Sequence, residues 1–251
     1  MAWYGNAPVA GPRGAAGPTP MRVALIPVKG FARSKQRLAS LLSPAERTAL
    51  AVAMFQDVLA AVAPARGLDR ICVVTADADA RRMAEEAGAA VILEPQPRNE
   101  SASVDFGADR CAEVGAASVL ILPADMPLLA TADVEAVLAA APEGPGVVIV
   151  PSADELGSNA ILRTPPDAIP SRFGHGSFER HQREAAARGL PCRVLRLPRV
   201  ALDVDEPEHL EAVVAAFLPA ARAAASQNPT HTRALLDRLG VAERLSGRLA
   251  S

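Results

Sequence analysis

The chain of 251 residues contains only three cysteines, Cys72, Cys111 and Cys192. They lie far apart, are odd in number and form no C-x-x-C pair, which excludes a disulfide framework and a cysteine-ligated zinc site. A reducing cytoplasm is the simplest setting for such a chain. No apolar run approaches the ~18–20 residues of a membrane span, so no membrane partner is expected. Neither sign of charge dominates: the formal net charge is -2 and the pI about 6.1, which gives no bulk attraction to nucleic acid. The four histidines show no H-x-x-x-H spacing. Neither G-x-x-x-x-G-K-[ST] nor G-x-G-x-x-G occurs, so any grip on phosphate must rely more on side-chain cations. Aromatics are few, and with abundant Ala, Arg and Pro this reads as genome composition rather than function. Residues 1–20 are rich in Gly, Pro and Ala without an apolar h-region, and are expected to be a disordered leader rather than a signal peptide. There is no internal repeat.

What the chain does have is apolar residues, at half of all positions, enough for one sizeable core. They fall into alternating strand and helix patterns. Strands are expected at 22–28, 70–75, 90–93, 119–122, 146–151, from Ala160 onward, and at 193–198. Ser43-Pro44-Ala45-Glu46 is a helix start, with a serine cap, proline in the first turn and glutamate three residues on. Leu50, Met54, Val58 and Val62 continue it as an apolar stripe. A helix from Asp77 to Ala87 ends at Gly88. Further helices are expected from the polar loop 95–103 to Val114, over 131–140, after Ser177, after Asp205, and over 230–249 beyond a linker at Ala224–Pro229. The alternation from 22 to 218 argues a three-layer αβα fold with a mostly parallel sheet.

The chain is organised around Ser118 to Leu129, SVLILPADMPLL. A buried-strand run ends at Pro123, and Asp125 follows where open α/β sheets bind ligands. A carboxylate held there suits magnesium, which takes oxygen ligands and shares them with substrate phosphates. Asp203 and Asp205, two apart in an extended segment, face the same way and can share a cation. Asp205 is also the expected N-cap of the next helix, with Pro207 in its first turn. The loop leaving the first strand carries Lys29, Arg33, Lys35 and Arg37 with no acid among them, at the usual phosphate position. Asn99, Ser101 and Ser103 are candidates either for a nucleotide base or for capping the helix that follows. Two small-residue turns, Gly157-Ser158-Asn159 and Gly174-His175-Gly176-Ser177, could admit an anion to backbone N–H groups; the alternative for Ser177 is a plain N-cap.

PVKGFARSKQRL (27–38), PADMPLL (123–129), GSNAILR (157–163), FGHGSFERH (173–181) and LDVDEPEHL (202–210) occur in this order. The set resembles the 2-phospho-L-lactate guanylyltransferase family of coenzyme F-420 biosynthesis, some of whose members use phosphoenolpyruvate or 3-phosphoglycerate. The resemblance covers about 21–218 and implies a nucleotidyltransferase (nucleotide-diphospho-sugar transferase) fold, with GTP and a small phosphorylated acid as substrates. It implies that Lys29 and Lys35 hold the GTP phosphates; Pro27, Val28, Asn99 and Ser103 are the further candidate nucleotide contacts, and Lys29, Lys35 and Asp125 the candidate catalytic residues. Magnesium would be held by Asp125, Asp203 and Asp205, and the acceptor by Ser158, Asn159, Gly174 and Ser177. Ala124 stands where glycine is usual and Ser158 where threonine is expected. A homodimer, or handover to the next enzyme, is left open by the final helix, which can pack on the core or on a second subunit.

The chemistry agrees with the residue set. A phosphate monoester is largely dianionic and already nucleophilic, so no general base is needed, and His181 is expected to be structural or an acceptor contact. Cations must offset the repulsion between nucleophile and α-phosphate. Two readings compete: a related nucleotidyltransferase acting on a molybdopterin or sugar phosphate, and a non-catalytic nucleotide-binding protein. The first usually carries G-G-x-x-x-R where this chain has K-G-F-A-R-S-K. Three retained carboxylates and two lysines weigh against the second.

Overall fold

The computed structural model describes residues 20–217 and 231–249, apart from Arg33 and Pro97. The expected leader, up to residue 19, and the Ala224–Pro229 linker lie outside them. In chain order the elements are β1 (Arg22–Val28), α1 (Pro44–Val62), β2 (Arg70–Thr75), α2 (Ala78–Glu86), β3 (Ala90–Leu93), α3 (Glu100–Glu113), β4 (Ser118–Ile121) and α4 (Thr131–Ala139). They continue with β5 (Gly146–Pro151), β6 (Ser158–Thr164), α5 (Ser177–Ala187), β7 (Cys192–Val194), α6 (Pro207–Phe217), α7 (His231–Arg238) and α8 (Val241–Leu249).

The strands form one sheet in the order β3-β2-β1-β4-β6-β5-β7. All neighbours are parallel except at β6, which runs antiparallel to both β4 and β5. Both faces are covered, which is why these strands read as continuous apolar runs rather than as alternations. Along β1, Ala24, Ile26 and Val28 enter the core shared with α1, α2 and α4. Val23 and Leu25 enter the opposite core, with Val104 and Ala108 of α3 and Phe178 of α5. Leu25 and Ile26 are fully buried, and each such side chain stabilises the fold by roughly 1.5–3 kcal/mol.

The expected capping box of α1 is present: Ser43 N donates to Glu46 Oε2 at 2.7 Å and Glu46 N to Ser43 Oγ at 3.4 Å. Three expectations are corrected. β6 begins at Ser158 rather than Ala160, because its pairing with β5 extends through Ser158 to Pro151. The strand expected at 193–198 is only Cys192–Val194, paired with β5 at the sheet edge. The single helix expected over 230–249 is two, α7 and α8, parted at Gly240, whose φ of +60° is left-handed. Both pack on this chain's own core, through Leu235, Leu236, Val241 and Leu245 against Leu50 and Met54 of α1 and Leu210 and Val213 of α6. Asp57 of α1 accepts from His231 N at 3.0 Å and Thr232 N at 2.9 Å, satisfying the first turn of α7.

The order of strands fixes where a ligand can enter. From β1 the chain proceeds outward to β2 and β3 on one side and to β4 on the other, so a crevice opens beyond the carboxyl ends of β1 and β4. The loops leaving these two strands carry the lysines and Asp125.

Candidate active site

The loop after β1 is shaped by two unusual backbone positions. Gly30 has φ +123°, a conformation that favours glycine, and a Cβ there would stand 2.9 Å from Asp77 Oδ2. Lys35 is left-handed as well, at φ 54°, uncommon for a residue with a side chain. Its surroundings hold it there: Lys35 Nζ donates to Asp125 Oδ2 at 2.5 Å and to Asp205 Oδ1 at 3.0 Å, with its side chain only 7% exposed. Burial alone would lower the Lys35 pKa, but the charges of Asp125 and Asp205 outweigh it and hold the ammonium well above its ordinary value.

Asp125 is tied to the second acidic segment through the backbone, since Val204 N donates to Asp125 O at 3.1 Å. Val204 is fully buried, and its neighbours Asp203 and Asp205 both line the crevice, as the two-residue period requires. Asp205 does not cap α6. The first turn of that helix closes on Glu206 O, which accepts from His209 N and Leu210 N. The Asp205 carboxylate is therefore available to Lys35. Burial pushes Asp205 up, but the Lys35 charge and hydrogen bond outweigh this and leave its pKa below the usual carboxylate range. Asp203 has no such partner among the described residues: burial and the charge of Asp125 hold its pKa above the usual value, although Asn159 Nδ2 donates to it at 2.9 Å.

Two cavities meet at these acids. One, of about 520 Å³, is lined by Pro27, Val28, Lys29, Gly30 and Lys35 from the β1 side. The other, of about 490 Å³, is lined by Ser158, Asn159, Gly174 and Ser177. Glu100, Pro123, Asp125 and Asp205 line both. The four candidate acceptor residues thus come together, and so do the candidate phosphate-binding residues, on opposite sides of Asp125.

The family model described as guanylyl transferase CofC like matches residues 21–217. The chain belongs to this family. It is 38% identical over 189 residues to the phosphoenolpyruvate guanylyltransferase of Sphaerobacter thermophilus, covering 75% of this chain and 90% of that one. It is 35% identical over 187 residues to the 3-phospho-D-glycerate guanylyltransferase of Colwellia psychrerythraea, covering 74% and 88%. With the 2-phospho-L-lactate guanylyltransferase of Methanothermobacter thermautotrophicus it shares 37% identity over 191 residues, covering 76% and 83%. A crystal structure from Desulfovibrio desulfuricans assigned as a nucleotide-diphospho-sugar transferase superposes with a TM-score of 0.70 at 17% identity, covering 90% of this chain and 99% of that one, which establishes the fold.

Within this CofC-like chain several side chains have roles that its motifs left open or did not signal. Asn99 caps α3, its Oδ1 accepting from Ala102 N at 2.9 Å, and Ser103 Oγ donates to Glu94 Oε2 at 2.9 Å; neither lines either of these two cavities. Ser177 is the first residue of α5 and not its cap, which is Gly176 at φ 71°. Ser158 and Asn159 are buried residues of β6 rather than turn residues. Asn159 uses its amide hydrogens on Asp203 and on Val200 O, at 2.9 and 3.0 Å, and so fixes the acidic segment. Glu100, at the start of α3, stands between the cavities 3.8 Å from Lys29; burial and the three aspartates raise its pKa, against the pull of Lys29. Behind the second cavity, three successive backbone N–H groups are held by side chains: Ser171 N by Asp105, Arg172 N by His181 Nε2, and Phe173 N by Ser101 Oγ. Buried Arg163 completes this support, donating to Asp105 at 3.0 Å and to Ser171 Oγ at 2.5 Å. Ser101, Asp105, Arg163, Ser171 and His181 line neither cavity, so motifs that face a substrate do not include them.

The acids fit magnesium by donor chemistry. All are oxygen ligands, and Asp125 Oδ1 is buried with no hydrogen-bond partner among the described residues. Among the described residues no three His, Cys, Asp or Glu side chains are gathered into a metal-binding cluster. The Lys35 ammonium is the cation that bridges Asp125 and Asp205 in this arrangement.

Proposed function

We propose that this chain is a cytoplasmic, magnesium-dependent guanylyltransferase that transfers GMP from GTP to the phosphate of a small three-carbon acid, in coenzyme F-420 biosynthesis. The observation that carries the reading is the pair of cavities meeting at Asp125 in a chain of the CofC-like family. GTP lies in the β1-side cavity, its phosphates facing Lys29 and Lys35. The acceptor lies against Ser158, Gly174 and Ser177. An oxygen of the acceptor phosphate forms a bond to the α-phosphorus, the bond from that phosphorus to the bridging oxygen breaks, and pyrophosphate leaves. Asp125, Asp203 and Asp205 would hold magnesium, which when bound supplies positive charge against the two phosphates. Lys35 remains protonated across the physiological range and supplies a fixed positive charge at the junction. His175 and His209 line the acceptor cavity, but a dianionic phosphate nucleophile needs no base from them.

The acceptor is phosphoenolpyruvate, 2-phospho-L-lactate or 3-phosphoglycerate. Relatives named for each of these stand at 38%, 37% and 35% identity, too close together to choose by likeness. Incubating the protein with magnesium, GTP and each acid, and reading product masses and pyrophosphate, decides among them. Substituting ATP should abolish most product, since a site that pairs the guanine edge leaves buried partners unmatched with adenine. Asp125→Asn and Asp203→Asn should each lower turnover by at least ~100-fold without loss of folding, the scale of one transition-state electrostatic contact. Equal rates with ATP and GTP, or no product with any acid, would sink the proposal.

A further inference from the structure

His181 lies behind the second cavity, fully buried, and lines neither cavity. Its two ring nitrogens have different partners. Arg172 N donates to Nε2 at 2.8 Å, and a backbone N–H can only donate, so Nε2 carries no proton. The neutral ring therefore carries its hydrogen on Nδ1, which stands 3.0 Å from Ser158 Oγ. Ser158 Oγ accepts that hydrogen, and its own hydroxyl hydrogen is left to point elsewhere. Ser158 is buried among β6 but lines the cavity, so the open direction for that hydrogen is toward whatever the cavity binds.

We infer that His181 is a positioning residue that turns Ser158 into a dedicated hydrogen-bond donor toward the anionic group of the acceptor. The inference rests on the proposed placement of the acceptor in this cavity. The relay runs from the Arg172 amide, through the imidazole, to the hydroxyl. The ring is also fixed by Phe173, packed edge-on at a centroid distance of 5.2 Å and 67° between planes. Burial, followed by the charges of Arg163 and Arg180, lowers the His181 pKa to about 3, so the ring stays neutral and the relay keeps its direction at physiological pH. Asp105, which works against those cations, is engaged by Arg163 and Ser171. A hydroxyl free to rotate could equally present its lone pairs, which would repel a carboxylate or phosphate. Fixing the donor removes that option and favours acids over neutral analogues.

The relay predicts a particular split. Ser158→Ala should raise the acceptor KM by about 10-fold, the loss of one hydrogen bond to a charged group, with the GTP KM within about twofold. His181→Phe removes the Nδ1 donor while keeping a flat ring and should give the same split. In the Ser158→Ala background His181→Phe should add less than about twofold to the acceptor KM, because the path it acts through is already gone. Ser158→Thr should keep the acceptor KM near wild type. Nitrogen NMR of the wild-type protein, with no substrate present, should show a neutral His181 ring protonated at Nδ1. Additive effects of the two changes, a His181→Phe effect equal on both substrates, or a wild-type ring protonated at Nε2 would each overturn the inference. The NMR measurement decides even if His181→Phe fails to fold. Absence of turnover with any acid by the wild type is a different result and counts against the proposed function.

Discussion

At the scale of single residues, His181 links the site to stability. An unfolded histidine titrates near pH 6.5, whereas in the fold its pKa is lowered to about 3, chiefly by burial. Between these values the unfolded chain binds a proton that the folded one refuses. Stability from this group is therefore complete above about pH 6.5 and is lost as pH falls toward 3. The expected outcome is that His181→Gln, which can still donate and accept, shows a smaller fall in Tm between pH 7 and pH 5 than wild type. Equal falls would assign the acid sensitivity to other groups. Asp205 shows how far a single residue can be read in advance. Its pairing with Asp203 follows from the two-residue period of an extended segment and is present. Its expected capping role is not, because D-E-P-E permits a helix start at either acid, and the first turn closes on Glu206.

At the scale of elements, α3 is the part on which both halves of the site depend. Its first turn places Glu100 between the cavities, and Ser101 and Asp105 hold the backbone of residues 171–173. Gly107 lets it lie close to the sheet: a Cβ there would meet the two Leu25 methyls at 2.9 and 3.0 Å and Val74 Cβ at 3.3 Å. Gly107→Ala gains about 1 kcal/mol of helix propensity. Overpacking against a fully buried Leu25 costs about 1–3 kcal/mol and should win. A lower Tm is expected, with a raised acceptor KM as Ser101 and Asp105 shift; a higher Tm would mean that the core yields. The existence and order of the main elements were legible because buried strands and helix caps are local signals. What local signals could not carry was the partner across the fold. Ser158 and Asn159 read as a turn because G-S-N is turn-like, yet pairing with β5 makes them strand. The final helix read as continuous because its apolar positions barely shift phase at Gly240. The Arg163–Asp105–Ser171 support was invisible because its members lie far apart in sequence and meet only when α3 packs on β6.

At the scale of the whole molecule, the sheet order determines a division of labour between substrates. Parallel strands deliver the β1 and β4 loops to the same edge, while antiparallel β6 begins there, so its first residues, Ser158 and Asn159, face the same opening. The two cavities consequently draw mainly on opposite halves of the sheet, and Asp125 after β4, with Glu100 and Asp205, forms their common wall. Such an arrangement should allow the two affinities to be changed separately. Glycine substitution is a poor probe, because Gly174 has φ +101° and any side chain there strains the backbone whatever the ligand. Side-chain truncations on opposite sides are cleaner. Of the two cavities Lys29 lines the β1-side one, its side chain is half exposed, and its ammonium stands 3.8 Å from Glu100, so Lys29→Ala removes little packing. It should raise the GTP KM by about 10-fold, the loss of one charge-assisted phosphate contact, and leave the acceptor KM within about twofold. Ser177→Ala, confined to the other cavity, should do the reverse. Steady-state titration of each variant against both substrates tests this directly. If Ser177→Ala weakened GTP while Lys29→Ala weakened the acceptor, the substrates would have been assigned to each other's cavities. If each variant weakened both substrates equally, the two cavities would act as one continuous site rather than as two that meet at Asp125.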